Sequence, residues 1–191
     1  MHKRRMEAFS DGVIAIIITI MILELKVPHE GDLAALIPLI PKFLSYVFSF
    51  VFIGIYWNNH HHLLQATKQV NGAVLWANLH LLFWLSMVPF VTGWMGENNF
   101  ATIPVAIYGC VLWLSGLSFY ILVQTLLASH DSDSVIASVF SKDPKGMWSL
   151  LIYTAAIPLS FVSAWIAVTL YVIVSVMWLI PERRIEKKLA E

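Results

Sequence analysis

The sequence predicts an all-α integral membrane protein, a single domain of six transmembrane helices over residues 1–191. Three observations lead there. Hydrophobic residues make up 59% of the 191 and charged residues 13%, where a soluble domain runs nearer to about 45–50% and about 25%. Mean hydropathy is +0.75. Several apolar stretches reach the roughly 20 residues that a helix needs to cross a bilayer. No stretch alternates apolar and polar residues as a barrel strand would, and lipid admits only helices or closed barrels. Net charge is zero, from twelve basic and twelve acidic residues, which argues against a nucleic-acid binder. The one cysteine, Cys110, excludes an intrachain disulfide and a multi-cysteine metal site.

The spans follow in order. The first covers about 9–27, through the run GVIAIIITIMILEL. The second covers about 41–64, the third 72–95 and the fourth 102–128. The polar stretch 129–146, with Asp131, Asp133, Lys142, Asp143 and Pro144, reads as a solvated connector. About 35 apolar residues then run to Pro181. That is too long for one span and enough for two short ones, 146–162 and 164–181, with a turn near Phe161–Trp165. The N-terminal KRR and the apolar run after it mimic a signal peptide. The run is long, no small-residue cleavage site follows and five more spans come after, so the segment is read as a retained helix.

Lys and Arg set the orientation. With six spans both termini share a side, which holds Lys3, Arg4, Arg5, Lys68, Lys142, Lys145, Arg183, Arg184, Lys187 and Lys188. The other side holds Lys26 and Lys42. Ten against two puts both termini in the cytoplasm. Trp57, Trp94, Trp148 and Trp178 fall near span ends as an aromatic belt, while Trp84 and Trp113 fall mid-span as packing residues. No repeat relates the two halves, so an inverted-repeat transporter gains no support.

Ionisable groups at membrane depth are costly and therefore mark candidate functional sites. Asp11 lies near the cytoplasmic end of the first span, and Glu24 near the outer interface. Between them Thr19 is the one polar side chain. Ser10 and Asp11 have two readings. They could cap free N–H groups at a helix N-terminus, or form a buried polar knot with other helices. The second span ends in Tyr56-Trp57-Asn58-Asn59-His60-His61-His62, and the third carries Asn78 and His80. All fall at the depth of Asp11, where hydrogen bonds between helices can satisfy them. A metal site fits poorly, because adjacent helical residues point about 100° apart and no H-E-x-x-H spacing occurs. No enzyme signature appears, neither G-x-S-x-G, nor a P-loop, nor a dinucleotide turn. The carbonyl-filter string TVGYG is absent as well.

On the first helix Ile16, Ile20 and Leu23 share a face, with Thr19 on the same side. The simpler reading is a lipid-facing or packed stripe whose threonine bonds back to its own helix. The other reading needs symmetry: several copies meeting on an axis would stack apolar rings into a constriction that gates by dewetting.

Arg5-x-x-x-Phe9-Ser10-Asp11, followed by Gly12, Ala15, Thr19 and Leu25-Lys26-Val27-Pro28, resembles the R-x-x-x-F-S-D signature of a family of lysosomal and bacterial potassium channels. Tyr46, Ser49 and Phe50 resemble its Y-x-x-S-F, and Trp57, Asn59 and His60 its W-x-N-H. Asn78 with Pro89-Phe90 resembles its third-helix pattern. The resemblance implies a potassium-selective cation channel without a carbonyl filter. Its bacterial members carry one six-helix repeat per chain and assemble as homotetramers; animal relatives carry two repeats and dimerise. The pore is then lined by the first helix of each subunit, with Ile16, Ile20 and Leu23 as the constriction and Thr19 tied to potassium preference. Arg5, Phe9, Ser10, Asp11, Trp57, His60 and Asn78 become a polar network that fixes that helix. No cofactor or metal is implied; potassium is the permeating ion, the partners are copies of the chain and the bilayer, and the expected location is a bacterial plasma membrane. A secondary transporter or proton-coupled carrier using Asp11 and the histidines is the alternative, and a metal-dependent membrane enzyme a weaker one.

Overall fold

The computed structural model describes residues 3–131, 134, 136–137 and 144–179. Asp133, Lys142, Asp143, Pro181, Arg183, Arg184, Lys187 and Lys188, which entered the connector, span and orientation readings, lie outside the described residues.

The described chain is helical: α1 (Lys3–Met21), α2 (Ile40–Ala66), α3 (Gly72–Ser86), α4 (Val88–Glu97), α5 (Thr102–Ala128), α6 (Lys145–Leu159) and α7 (Ala164–Leu179). Four helical stretches are long and apolar enough to cross a membrane: Lys3–Glu24, Leu33–Ala66, Gly72–Glu97 and Thr102–Ala128. Helices α6 and α7 are apolar but shorter, at 15 and 16 residues, and part at 160–163.

Local chemistry explains the ends. Asp32 accepts from the Ala35 amide and starts a 3₁₀ turn, Leu33–Leu39, that leads into α2. Pro41 lies in the first turn of α2, where its missing N–H costs nothing. Asn71 caps α3 by accepting from the Val74 amide at 3.0 Å. The third apolar stretch, expected as one helix, is broken at Met87. Pro89 cannot donate to the carbonyl of Leu85 and its ring crowds that carbonyl, so the Met87 amide bonds to Trp84 O at 3.2 Å instead. Helix α4 ends with Asn99 and Phe100 both left-handed, at φ 50° and 59°. The Phe100 amide returns to Met95 O at 3.0 Å, and its ring stacks on Trp165 of α7 with centroids 5.4 Å apart.

Helix α5 is the hub, packed against α3, α4, α6 and α7, while α1 packs on α2, α3 and α4. Tyr108 and Tyr171 are fully buried between the helices. Of the apolar window of Lys3–Glu24, 28% is buried, and of Leu33–Ala66 22%, against 50% for the Gly72–Glu97 and Thr102–Ala128 stretches. Thus α1 lies at the rim of the bundle, with one face packed and the other bare.

Burial of apolar surface gives little drive between helices in lipid, because acyl tails are as apolar as leucine. Close packing at small residues and interhelical hydrogen bonds take over. Both occur here. A Cβ on Gly96 would overlap the Ser45 hydroxyl and the Lys42 backbone, and one on Gly109 would overlap the Tyr171 hydroxyl. Buried hydroxyls also link three helices. Thr92 Oγ1 donates to Val88 O at 2.6 Å, so it accepts from Ser49, which in turn accepts from Tyr108 at 2.8 Å.

Candidate functional site: the two faces of the first helix

The inner face of α1 is Met6, Ser10, Ile14, Ile17 and Met21, all buried. Their spacing of three and four residues keeps them on one side. Ser10 is the polar member. Its hydroxyl donates to Met6 O at 2.9 Å, so its oxygen must accept, and Asn78 Nδ2 donates to it at 2.9 Å. That turns Asn78 Oδ1 toward His60, whose Nε2 lies 2.7 Å away and must carry the proton. The chain His60 → Asn78 → Ser10 → Met6 O therefore runs in one direction across α2, α3 and α1. His60, Asn78 and Ser10 are each 1% exposed or less. His60 Nδ1 faces no partner among the described residues.

Beside this chain Trp57 Nε1 donates to Asp11 Oδ1 at 3.1 Å. The capping reading of Ser10 and Asp11 is corrected, because α1 already begins at Lys3 and both residues sit well past its first turn. The same early start corrects the expected boundary at Phe9. Arg5 is exposed and makes no hydrogen bond or ion pair among the described residues, so it stands apart from the network it was expected to join. Glu7 was not anticipated: its Oε1 lies 3.5 Å from His61 Nδ1, while His61 Nε2 accepts from Gln65 at 2.7 Å. His80 accepts from Trp84 Nε1 at 3.0 Å. His60, His61 and His80 thus have separate partners, while the buried His62 Nδ1 meets none among the described residues, and no group of three or more His, Cys, Asp or Glu among the described residues could hold a metal ion.

The outer face of α1 is a continuous exposed stripe. Phe9 is 53% exposed, Ile16 60%, Ile20 42% and Leu23 74%. Arg5, Gly12 and Thr19 lie exposed in the same row. The α-helix ends at Met21, so Leu23 belongs to a 3₁₀ turn, Ile22–Glu24, and not to the α-helical ladder that set the sequence spacing. Thr19 Oγ1 lies 3.0 Å from both Ala15 O and Ile16 O. Its proton goes to its own helix, and its exposed oxygen keeps lone pairs free to accept. A cavity of about 220 Å³ lies between α2, α5, α6 and α7, and no α1 residue lines it. The stripe and that cavity are separate features.

Sequence reasoning passed over Thr92 and Tyr108. Both lie in apolar runs, and a threonine that can bond its own helix gives no sign that it also accepts from a neighbour.

A bundle of long apolar helices, tied inside by directed hydrogen bonds and apolar on its outer faces, defines an all-helical membrane protein. Residues 5–89 match the family model described as endosomal/lysosomal potassium channel TMEM175. A potassium channel of Chryseobacterium sp. is 50% identical over the whole of both chains. A potassium channel of Streptomyces collinus is 34% identical, over 84% of this chain and 83% of its own. The human endosomal/lysosomal proton channel TMEM175 is 28% identical over 73% of this chain and 31% of its own length. The crystal structure of a lysosomal potassium-selective channel TMEM175 homologue from Chamaesiphon minutus superposes with a TM-score of 0.81 at 27% identity, covering 92% of this chain and 95% of that one. The chain belongs to the TMEM175 family, a family of ion channels and not of enzymes.

Proposed function

We propose that the chain is one subunit of a potassium-selective channel of a bacterial plasma membrane, with both termini cytoplasmic. Four copies bring their α1 stripes to a common axis. The observation that carries this is the stripe itself: α1 is held from behind by hydrogen bonds to α2 and α3, while Ile16, Ile20 and Leu23 stay uncovered in front. On an axis those residues become stacked apolar rings. Such a neck is dry enough to gate by dewetting. Potassium sheds water more readily than sodium, so a dehydrating neck favours it. The free lone pairs of Thr19, four such hydroxyls at one level, offer oxygen to a partly stripped cation. The Ser10–Asn78–His60 chain and the Trp57–Asp11 bond then act as positioning elements for the pore helix.

The test is reconstitution into liposomes under potassium and sodium gradients. A reversal potential near that of potassium is expected. Ile16→Asn and Leu23→Asn, which wet the rings, are expected to raise conductance and lower selectivity. Unchanged conductance and selectivity in both variants overturns the pore assignment. The animal relatives are named proton channels, so a pH-gradient arm belongs in the same assay. Slow flux strictly coupled to that gradient would favour a proton-coupled carrier instead.

A further inference from the structure

One imidazole ties the middle of the connection between α2 and α3, residues 67–71, to the end of α5. His130, just past the end of α5, accepts from two backbone amides through Nε2: Lys68 N at 3.1 Å and Gln69 N at 3.3 Å. Its Nδ1 lies 2.8 Å from Leu126 O and must donate to it. These three bonds admit only the neutral ring protonated at Nδ1, because Nε2 needs its lone pair. Asn71 adds a bond to Ser129 Oγ at 3.0 Å, so the connection is tied to the end of α5 in its middle and where it enters α3. A proton gained at Nε2 would turn an acceptor into a donor facing two donors, and both amide bonds would be lost. Of the charged residues beside it, Lys68 in the connection and Asp131 after His130 are both exposed to water. The last turn of α5 bears no titratable group, and Lys3 of α1 is engaged with Gln65 O at 3.2 Å.

We propose that His130 is a proton-released clasp: neutral, it holds the α2–α3 connection against α5, and protonated, it lets that connection go. The helices flanking the connection carry His60 and Asn78, each about two turns from it, and their bond chain ends on Ser10 of α1. Release on the cytoplasmic side therefore loosens the backing of the α1 stripe. This second step rests on the channel reading; the clasp itself does not.

The experiment is amide hydrogen exchange on the full chain in nanodiscs, corrected for intrinsic exchange, between about pH 8 and about pH 5, the range in which histidine changes charge. Protection of the Lys68 and Gln69 amides is expected to fall about tenfold or more on acidification, as the loss of two hydrogen bonds implies. In His130→Gln the side-chain oxygen still accepts but cannot take the proton, so protection is expected to stay flat. No fall in the parent chain, or an equal fall in His130→Gln, overturns the clasp. In patches, the parent current is expected to vary with cytoplasmic pH over the same range and the His130→Gln current not to. Equal pH dependence in both overturns the coupling to the pore. Absence of potassium current at every pH rejects the channel reading and leaves the exchange result to judge the clasp.

Discussion

Asn78 uses both halves of its amide, the oxygen for His60 and the nitrogen for Ser10. Asn78→Leu strands a buried donor on α2 and a buried acceptor on α1. Unpaired buried groups cost about 1–3 kcal/mol each, although interhelical bonds in bilayers average only about 0.6 kcal/mol. We expect a loss of about 1–3 kcal/mol, read as a lower melting temperature of the detergent-solubilised protein. Trp57→Phe removes the indole donor from Asp11. Trp57 is 46% exposed, so a stability loss under about 1 kcal/mol is expected. A polar group in an apolar run announces in the sequence that it needs a partner. Depth along the span narrows the choice to the right level of the bundle. The direction of each bond is not legible there, because it depends on which proton each neighbour has already committed.

At the scale of elements, the close contacts of glycine decide how tightly the helices approach. Gly96 faces the Lys42 backbone, which cannot rotate aside as a side chain can. Gly96→Ala must push α4 from the start of α2, and overpacking of this kind costs about 1–3 kcal/mol. Reduced thermal stability is the expected readout, along with weakening of the nearby Lys42–Glu97 pair, which now spans 2.9 Å. Gly109→Ala meets Tyr171 and should show a comparable loss. Helix identity was legible throughout, since an apolar run in lipid has no other way to pair its backbone. The break at Met87 was written in Pro89 but is easily passed over, because hydropathy continues across it. The early start of α1 was hidden by its charged residues, which lower hydropathy without breaking a helix.

For the whole molecule, the decisive property is an apolar face of α1 that the described residues do not cover. The α1 stripe meets either lipid or other copies, and chemical crosslinking separates the two. In a Cys110→Ser background, Ile16→Cys is expected to form disulfides between copies under mild oxidation, seen as dimers on denaturing gels. Trp76→Cys, at a site on α3 that is 75% exposed, is expected to crosslink far less. The reverse ranking would turn α1 outward. In addition, native mass spectrometry of the detergent complex should give four copies.

Composition and hydropathy alone determined that this is a helical membrane protein, because the cost of an unpaired backbone in hydrocarbon leaves few structures open. Motifs spread over residues 5–90, from α1 to α4, carried the family likeness. Tertiary structure alone decided which side of α1 is pinned and which is bare. In a helix apolar all round, periodicity has no polar side to point away from the core. Only the partners across the gap, His60 and Asn78 behind and no described residue in front, break that symmetry.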